Sequence, residues 1–144
     1  RSRVRFHGAV SDERLRGFYA AADIFVAPSR FESFGLILVE GMMFSKPVVG
    51  CNAGGMVEVV EDGVSGLLAE PGDVASLDAC LERLITDADL RARMGAAARV
   101  RYEQRFTAER MTSAYLQAMD AAARHDVSEA ATPVASDGAL VGKA

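Results

Sequence analysis

No uninterrupted apolar run of about 18 residues occurs in the chain, so nothing in it reads as a membrane span. An excess of positive charge is also missing. The formal net charge is −4, which argues against a binder of nucleic-acid backbones, whose surfaces are basic. Cysteine is scarce: Cys51 and Cys80 are the only two, and their spacing fits neither a metal centre nor a redox pair. They are expected to be buried, reduced thiols, the usual state in a cytosolic protein. Lysine is almost absent, two against fourteen arginines, a bias from which no function follows. No internal repeat is evident, and no signal peptide is visible in this stretch. The opening "RSRVRFHG" has no Met and reads as an internal start, so further chain is expected before it.

What remains is an ordinary globular composition. Of 144 residues, 50% are hydrophobic and 25% charged, enough for one domain with a core. "VRFHGAV" (4–10) alternates weakly and predicts a short strand entering a glycine loop. Ser11 suits a helix N-cap, with Asp12 and Glu13 favouring the positive end of the helix dipole. The helix should run to about Ala22, with Leu15, Phe18, Tyr19 and Ala22 at helical spacing. "DIFVAPS" predicts a buried strand stopped by Pro28. A helix follows from near Gly35 to about Ser45, ended by Lys46 and Pro47, and "PVVG" is the next strand. "NAGG" is a turn, "MVEVVED" a short helix, and "GLLAEPGD" a strand and loop. Asp73 should cap a helix reaching about Ile85, with Leu77, Leu81, Leu84 and Ile85 on one face. Further helices are expected over about 88–101 and 107–124. Residues 125–144 are small, polar and aperiodic, and are expected to be disordered.

Strands alternating with helices imply an α/β, Rossmann-like parallel sheet of about four strands, with helices on both faces. Ligands of such sheets lie outside the carboxyl ends of the strands. The loops expected there are "HGAVS", "PSRFESFG" and "CNAGGM".

"ESFGLILVE" (32–40) carries the most chemistry. A first helical turn leaves N–H groups unpaired at the positive end of the dipole. Gly35 would let an anion approach the N–H groups of Phe34, Gly35 and Leu36; a simple turn requirement would also explain it. The helix is apolar on nearly every side and is expected to be buried. Glu40 would then need a partner: either an internal cation or donor, or a vicinal diol such as a ribose offers. Glu32, on the loop before the helix, would reach a group beyond the anion, or simply be solvated.

From "VRFHGAVSDERLRGFYAAADIFVAPS" through "SRFESFGLILVEGMMFSKPVVGCNAGGMVEVVEDGVSGLLAEPGD", the chain resembles the C-terminal half of family-four retaining glycosyltransferases of the GT-B fold. The paired glutamates in the form E-x-F-G-x-x-x-x-E match at Glu32, Phe34, Gly35 and Glu40. The resemblance covers roughly residues 4–124. It implies a nucleoside-diphosphate sugar as donor substrate, with no resident cofactor and no metal. It implies Glu40 on the ribose hydroxyls, Glu32 on the donor sugar as a positioning and electrostatic group, and Phe34, Gly35 and Leu36 at the sugar and diphosphate. Gly8, Ala9 and Val10 would lie near the base. An Arg and a Lys of the family pattern belong upstream of Arg1, as does an acceptor-binding N-terminal domain.

The expectation is therefore residues 1–124 as part of an incomplete donor-binding domain, inactive alone, and 125–144 as a tail. The whole enzyme is expected in the cytoplasm, either free or peripheral at the inner face of a membrane through the further domain, acting on an acceptor the sequence does not name. A non-catalytic nucleotide- or anion-binding module and an inactive fragment are the competing readings. His7 is expected to be a packed strand residue and Glu58 a helix-surface carboxylate. Arg30 is not promoted to the family's missing cation. The arginines of 91–110 are expected on a solvated face, and Tyr102 and Phe106 should pack the last helices onto the sheet or onto the further domain.

Overall fold

The structure, a computed structural model, describes residues 3–130. Its sheet has three parallel strands in the order β1 (Phe25–Val26), β2 (Val48–Cys51), β3 (Gly66–Ala69). Phe25 pairs with Val48, and Val48 in turn with Gly66. β1 is short because Pro28 follows it and cannot donate to a ladder. β2 is central and buried at all four positions, as a short apolar run between two parallel neighbours should be. At residue 66 a side chain is excluded, since a Cβ there would lie 2.2 Å from the Val48 carbonyl oxygen.

The helices are α1 (Asp12–Ala21), α2 (Leu36–Met43), α3 (Met56–Val59), α4 (Val74–Thr86), α5 (Ala88–Arg105) and α6 (Ala108–Ala130). Alternation along the strands divides the core in two. Val48 and Leu68 face a cluster built on Leu38, Val39 and Met42 of α2 and Met56 and Val59 of α3. Val49, Leu67 and Ala69 face Cys80 and Leu84 of α4. α5 serves both clusters, giving Met94 to the second and Ala98 to the first. Tyr102 and Phe106 pack against the first cluster, as expected. Both cysteines are buried and free.

Several expectations are corrected. Residues 4–10 form no strand. A strand is a property of pairing, and this segment pairs with none of the described strands, so the sheet has three strands rather than four. Its Phe6 is 94% exposed. His7 is accordingly not a packed strand residue; it is exposed and lies against the Phe18 ring, with centroids 4.5 Å apart. Ile85 points outward at 65% exposure, while Leu84 is fully buried. α2 ends at Met43, two residues short of the expected Ser45, and the chain leaves it through Ser45 in the left-handed region at φ 59°. α6 continues past the boundary expected near 124, to Ala130. The remainder of the expected tail, 131–144, lies outside the described residues. Residues through Thr107 form one compact unit and α6 belongs to another. Among the described residues no helix is long and apolar enough to cross a membrane.

The arginines of α5 are not a merely solvated face. Arg91 donates to the carbonyls of Leu84 and Ile85 in the last turn of α4, at 2.7 and 2.9 Å. Arg99 donates to Met43, the last residue of α2. Arg101 donates to Val59 and Glu58 at the end of α3, at 2.6 and 2.8 Å, and pairs with Glu61 at 3.2 Å. Each cation meets carbonyls that the helix leaves unpaired, at the negative end of its dipole. Burial lowers the Arg101 pKa and Arg105 lowers it further, while Glu61 opposes the shift.

Candidate functional site

The loops at the carboxyl ends of the three strands are stitched together by backbone. Gly55 N–H donates to the Glu32 carbonyl at 2.8 Å, and Asn52 N–H to the Ala69 carbonyl at 2.8 Å. The Asn52 side chain adds a bond to Glu70 at 3.2 Å. The loop that carries Glu32 lies directly on the Gly54–Gly55 turn. A Cβ at residue 54 would be 2.3 Å from the Glu32 carbonyl oxygen, and one at 55 would be 2.5 Å from Phe34 Cα. The two glycines therefore permit the approach of one rim loop to another. "HGAVS" follows no strand, so strand ends do not place it on this rim. Within it Gly8 has φ 61°, Ala9 is exposed and Val10 is half-buried.

Gly35 opens α2 from the left-handed region, φ 91° and ψ 41°, and supplies no side-chain cap. A β-carbon at this φ is strained, so the turn requirement read from sequence is present. Gly35 itself is buried, and its carbonyl accepts from Leu38 N–H at 3.0 Å. Phe34 is 43% exposed and meets Phe106 edge-on at 6.0 Å. Glu32 is half-buried. Its carboxylate makes no hydrogen bond or ion pair among the described residues.

α2 is not buried all round. Leu38 and Met42 are enclosed, but Leu36 is 65% exposed, and Ile37 and Met43 are also exposed. Glu40 is exposed on that same side. Its apolar sequence neighbours therefore do not desolvate it, and the expected burial of its carboxylate is overturned. It does have an internal partner: the Tyr19 hydroxyl donates to Glu40 Oε2 at 2.5 Å. Tyr19 is buried, and both its burial and the adjacent carboxylate push its phenol pKa far above the ordinary value, so it remains a donor. An open cavity of about 310 Å³ lies here, lined by Glu40, Tyr19, Asp12, Leu15, Arg16, Met43 and Phe44. Of the residues singled out from sequence, it gathers Glu40 but not Glu32, Phe34, Gly35, Leu36, Gly8, Ala9 or Val10.

Two contributions were not foreseen. Tyr19 was assigned only to the apolar face of α1; its pairing spans 21 positions, and no local pattern reveals it. The need of Glu40 for a donor was the available signal. Gly54 and Gly55 were read as a turn; their role in loop packing depends on contacts far away in sequence. Glu58 is exposed, as expected.

Comparison with known proteins places the chain in a family and a fold. The family model described as "Glycosyl transferases group 1" matches residues 1–101. The D-inositol 3-phosphate glycosyltransferase of Streptomyces griseus is 41% identical over 95 residues, covering 66% of this chain and 20% of that protein. Among solved structures, sucrose-phosphate synthase from Thermosynechococcus elongatus superposes with a TM-score of 0.73 at 32% identity, over 83% of this chain and 31% of that one. Anabaena HepE, solved in complex with UDP and glucose, gives 0.68 at 32% identity, over 72% and 29%. The chain thus spans a fifth to a third of the length of the relatives it matches.

Proposed function

Since the chain belongs to the group 1 glycosyl transferases and shares the GT-B fold of its structural neighbours, we propose that it forms the donor-binding part of a retaining glycosyltransferase. The donor is a nucleoside-diphosphate sugar. In this reading Glu40 accepts the ribose hydroxyls, and the α2 mouth at Phe34, Gly35 and Leu36 meets the diphosphate and sugar. Glu32 positions the donor sugar, and Gly8, Ala9 and Val10 lie toward the base. The observation that carries it is the pairing of two features on one short helix. Gly35 starts α2 without a side-chain cap, and Glu40 presents its carboxylate to a cavity beside an uncharged donor, Tyr19. An open N-terminus suits a diphosphate, and a carboxylate with spare acceptor capacity suits a diol. The complex of Anabaena HepE with UDP and glucose supports the same ligand class.

Transfer would break the bond between the anomeric carbon and the diphosphate oxygen and form one to an acceptor hydroxyl on the same face. The acceptor proton would pass to the departing phosphate. The helix mouth and basic side chains would offset the charge that develops on that phosphate, with neither a metal nor a resident cofactor. Acceptor binding would fall to further chain, and turnover to the two parts together.

Isothermal titration with UDP, GDP and ADP tests the binding half of this reading. One of them should bind, and Glu40→Ala should weaken it roughly tenfold, the scale of a lost charge-assisted hydrogen bond. Undiminished binding by Glu40→Ala would remove the ribose role. Turnover with the matching sugar nucleotide, in a protein carrying the acceptor-binding part, tests the chemistry. A product of inverted anomeric configuration would overturn retention.

A further inference from the structure

We propose that Tyr19 is a positioning residue for Glu40, and that this pair sets how strongly the site prefers a nucleotide whose ribose keeps both hydroxyls. The inference rests on Glu40 being the ribose contact.

The geometry of the pair supports it. Glu40 is an exposed residue on a long, flexible side chain, which would ordinarily sample many rotamers and lose that freedom on binding. Tyr19 has no such freedom. Its ring is 8% exposed and stacks on Phe44 with centroids 5.3 Å apart and planes 13° apart. On another side it meets Phe25 at 5.2 Å. Phe25 holds that place because residue 41 is glycine: a Cβ there would lie 2.9 Å from Phe25 Cγ. The hydroxyl is thus fixed by the core, and the Glu40 carboxylate takes its orientation from it at 2.5 Å.

The chemistry of the donor matters as much as its position. No cation pairs with Glu40 among the described residues. A guanidinium would satisfy both carboxylate oxygens at once and leave a diol nothing to donate to. A phenol has a single proton, here given to Oε2. Oε1 and the remaining lone pair of Oε2 keep their acceptor capacity for two hydroxyls. Both residues line the same cavity, so the ordering occurs where the ligand would sit.

Tyr19→Phe tests this, because it removes the hydroxyl and keeps the packed ring. The measurement is isothermal titration with whichever of UDP, GDP and ADP binds tightest, and then with its 2′,3′-dideoxy form. The wild-type chain should favour the intact nucleotide. Tyr19→Phe should bind that nucleotide about three- to tenfold more weakly, the scale of re-ordering one side chain. Its affinity for the dideoxy form should be unchanged. Equal weakening toward both forms would mean that the hydroxyl only ties α1 to α2, and no weakening toward either would mean that it orients nothing; each result overturns the inference. Should Glu40→Ala retain the wild-type preference for the diol, or should none of the diphosphates bind, the ribose reading itself fails and the role of Tyr19 falls with it.

Discussion

Among the described residues, α1, α4 and α5 begin on capping side chains, whereas α2 and α3 begin on glycine. Ser11 accepts from Arg14 N–H at the head of α1, Asp73 from Ala75 and Ser76 at α4, and Asp87 from Leu90 at α5. Gly35 and Gly55 at the heads of α2 and α3 supply no side chain. Those two heads belong to the rim loops, as does the capped head of α4 after β3, while the far ends of α2 and α3 are held by Arg99 and Arg101 of α5. The capped helices close their own first turns. α2 and α3 have no side-chain cap and are secured from behind.

The contrast can be broken at its uncapped end first. Gly55→Ala would drive a Cβ to within 2.5 Å of Phe34 Cα and the Ser33 carbonyl oxygen. We expect a loss of about 3 kcal/mol, the scale of overpacking against backbone that cannot yield, read from urea denaturation. Nucleotide binding should be lost with it. Next comes the far end. Arg101→Ala removes three hydrogen bonds from a side chain only 15% exposed, and should cost about 2 kcal/mol. The folded variant should keep wild-type nucleotide affinity, since the hydrogen bonds of Arg101 go to Glu58, Val59 and Glu61 at the far end of α3; a large loss of affinity would show that the two ends are not separable. A capped helix gives the reference: Asp73→Ala should cost about 1 kcal/mol in urea denaturation. The smallest effect lies at the exit of α2. Ser45→Gly relieves a left-handed serine at φ 59° and should raise stability by about 0.5 kcal/mol after the entropy of glycine is subtracted, measured as a rise in melting temperature.

Much of the fold was legible because it is local. Ser11 and Asp73 cap the helices expected of them, β2 lies in the short apolar run after Pro47, and Gly35 marks the head of α2. Failures came where a local pattern stood in for a long-range fact. "VRFHGAV" alternates, yet no described strand lies beside it. "LILVEGMM" is apolar enough to suggest a fully enclosed helix, yet Leu36, Ile37 and Met43 are exposed. Apolarity constrains which residues can be buried without fixing how many neighbours surround them.

The candidate site divides along the same line. The two glutamates, the glycine between them and the helix they border are facts of spacing, because helix geometry and backbone freedom operate over a few residues. The donor that Glu40 uses, the glycines that let one rim loop lie on another, and the arginines that hold α2 and α3 from behind depend on folding. They join residues 21 to 56 positions apart, and hydrogen bonds and steric contacts over such separations exist only once the sheet has brought their helices together.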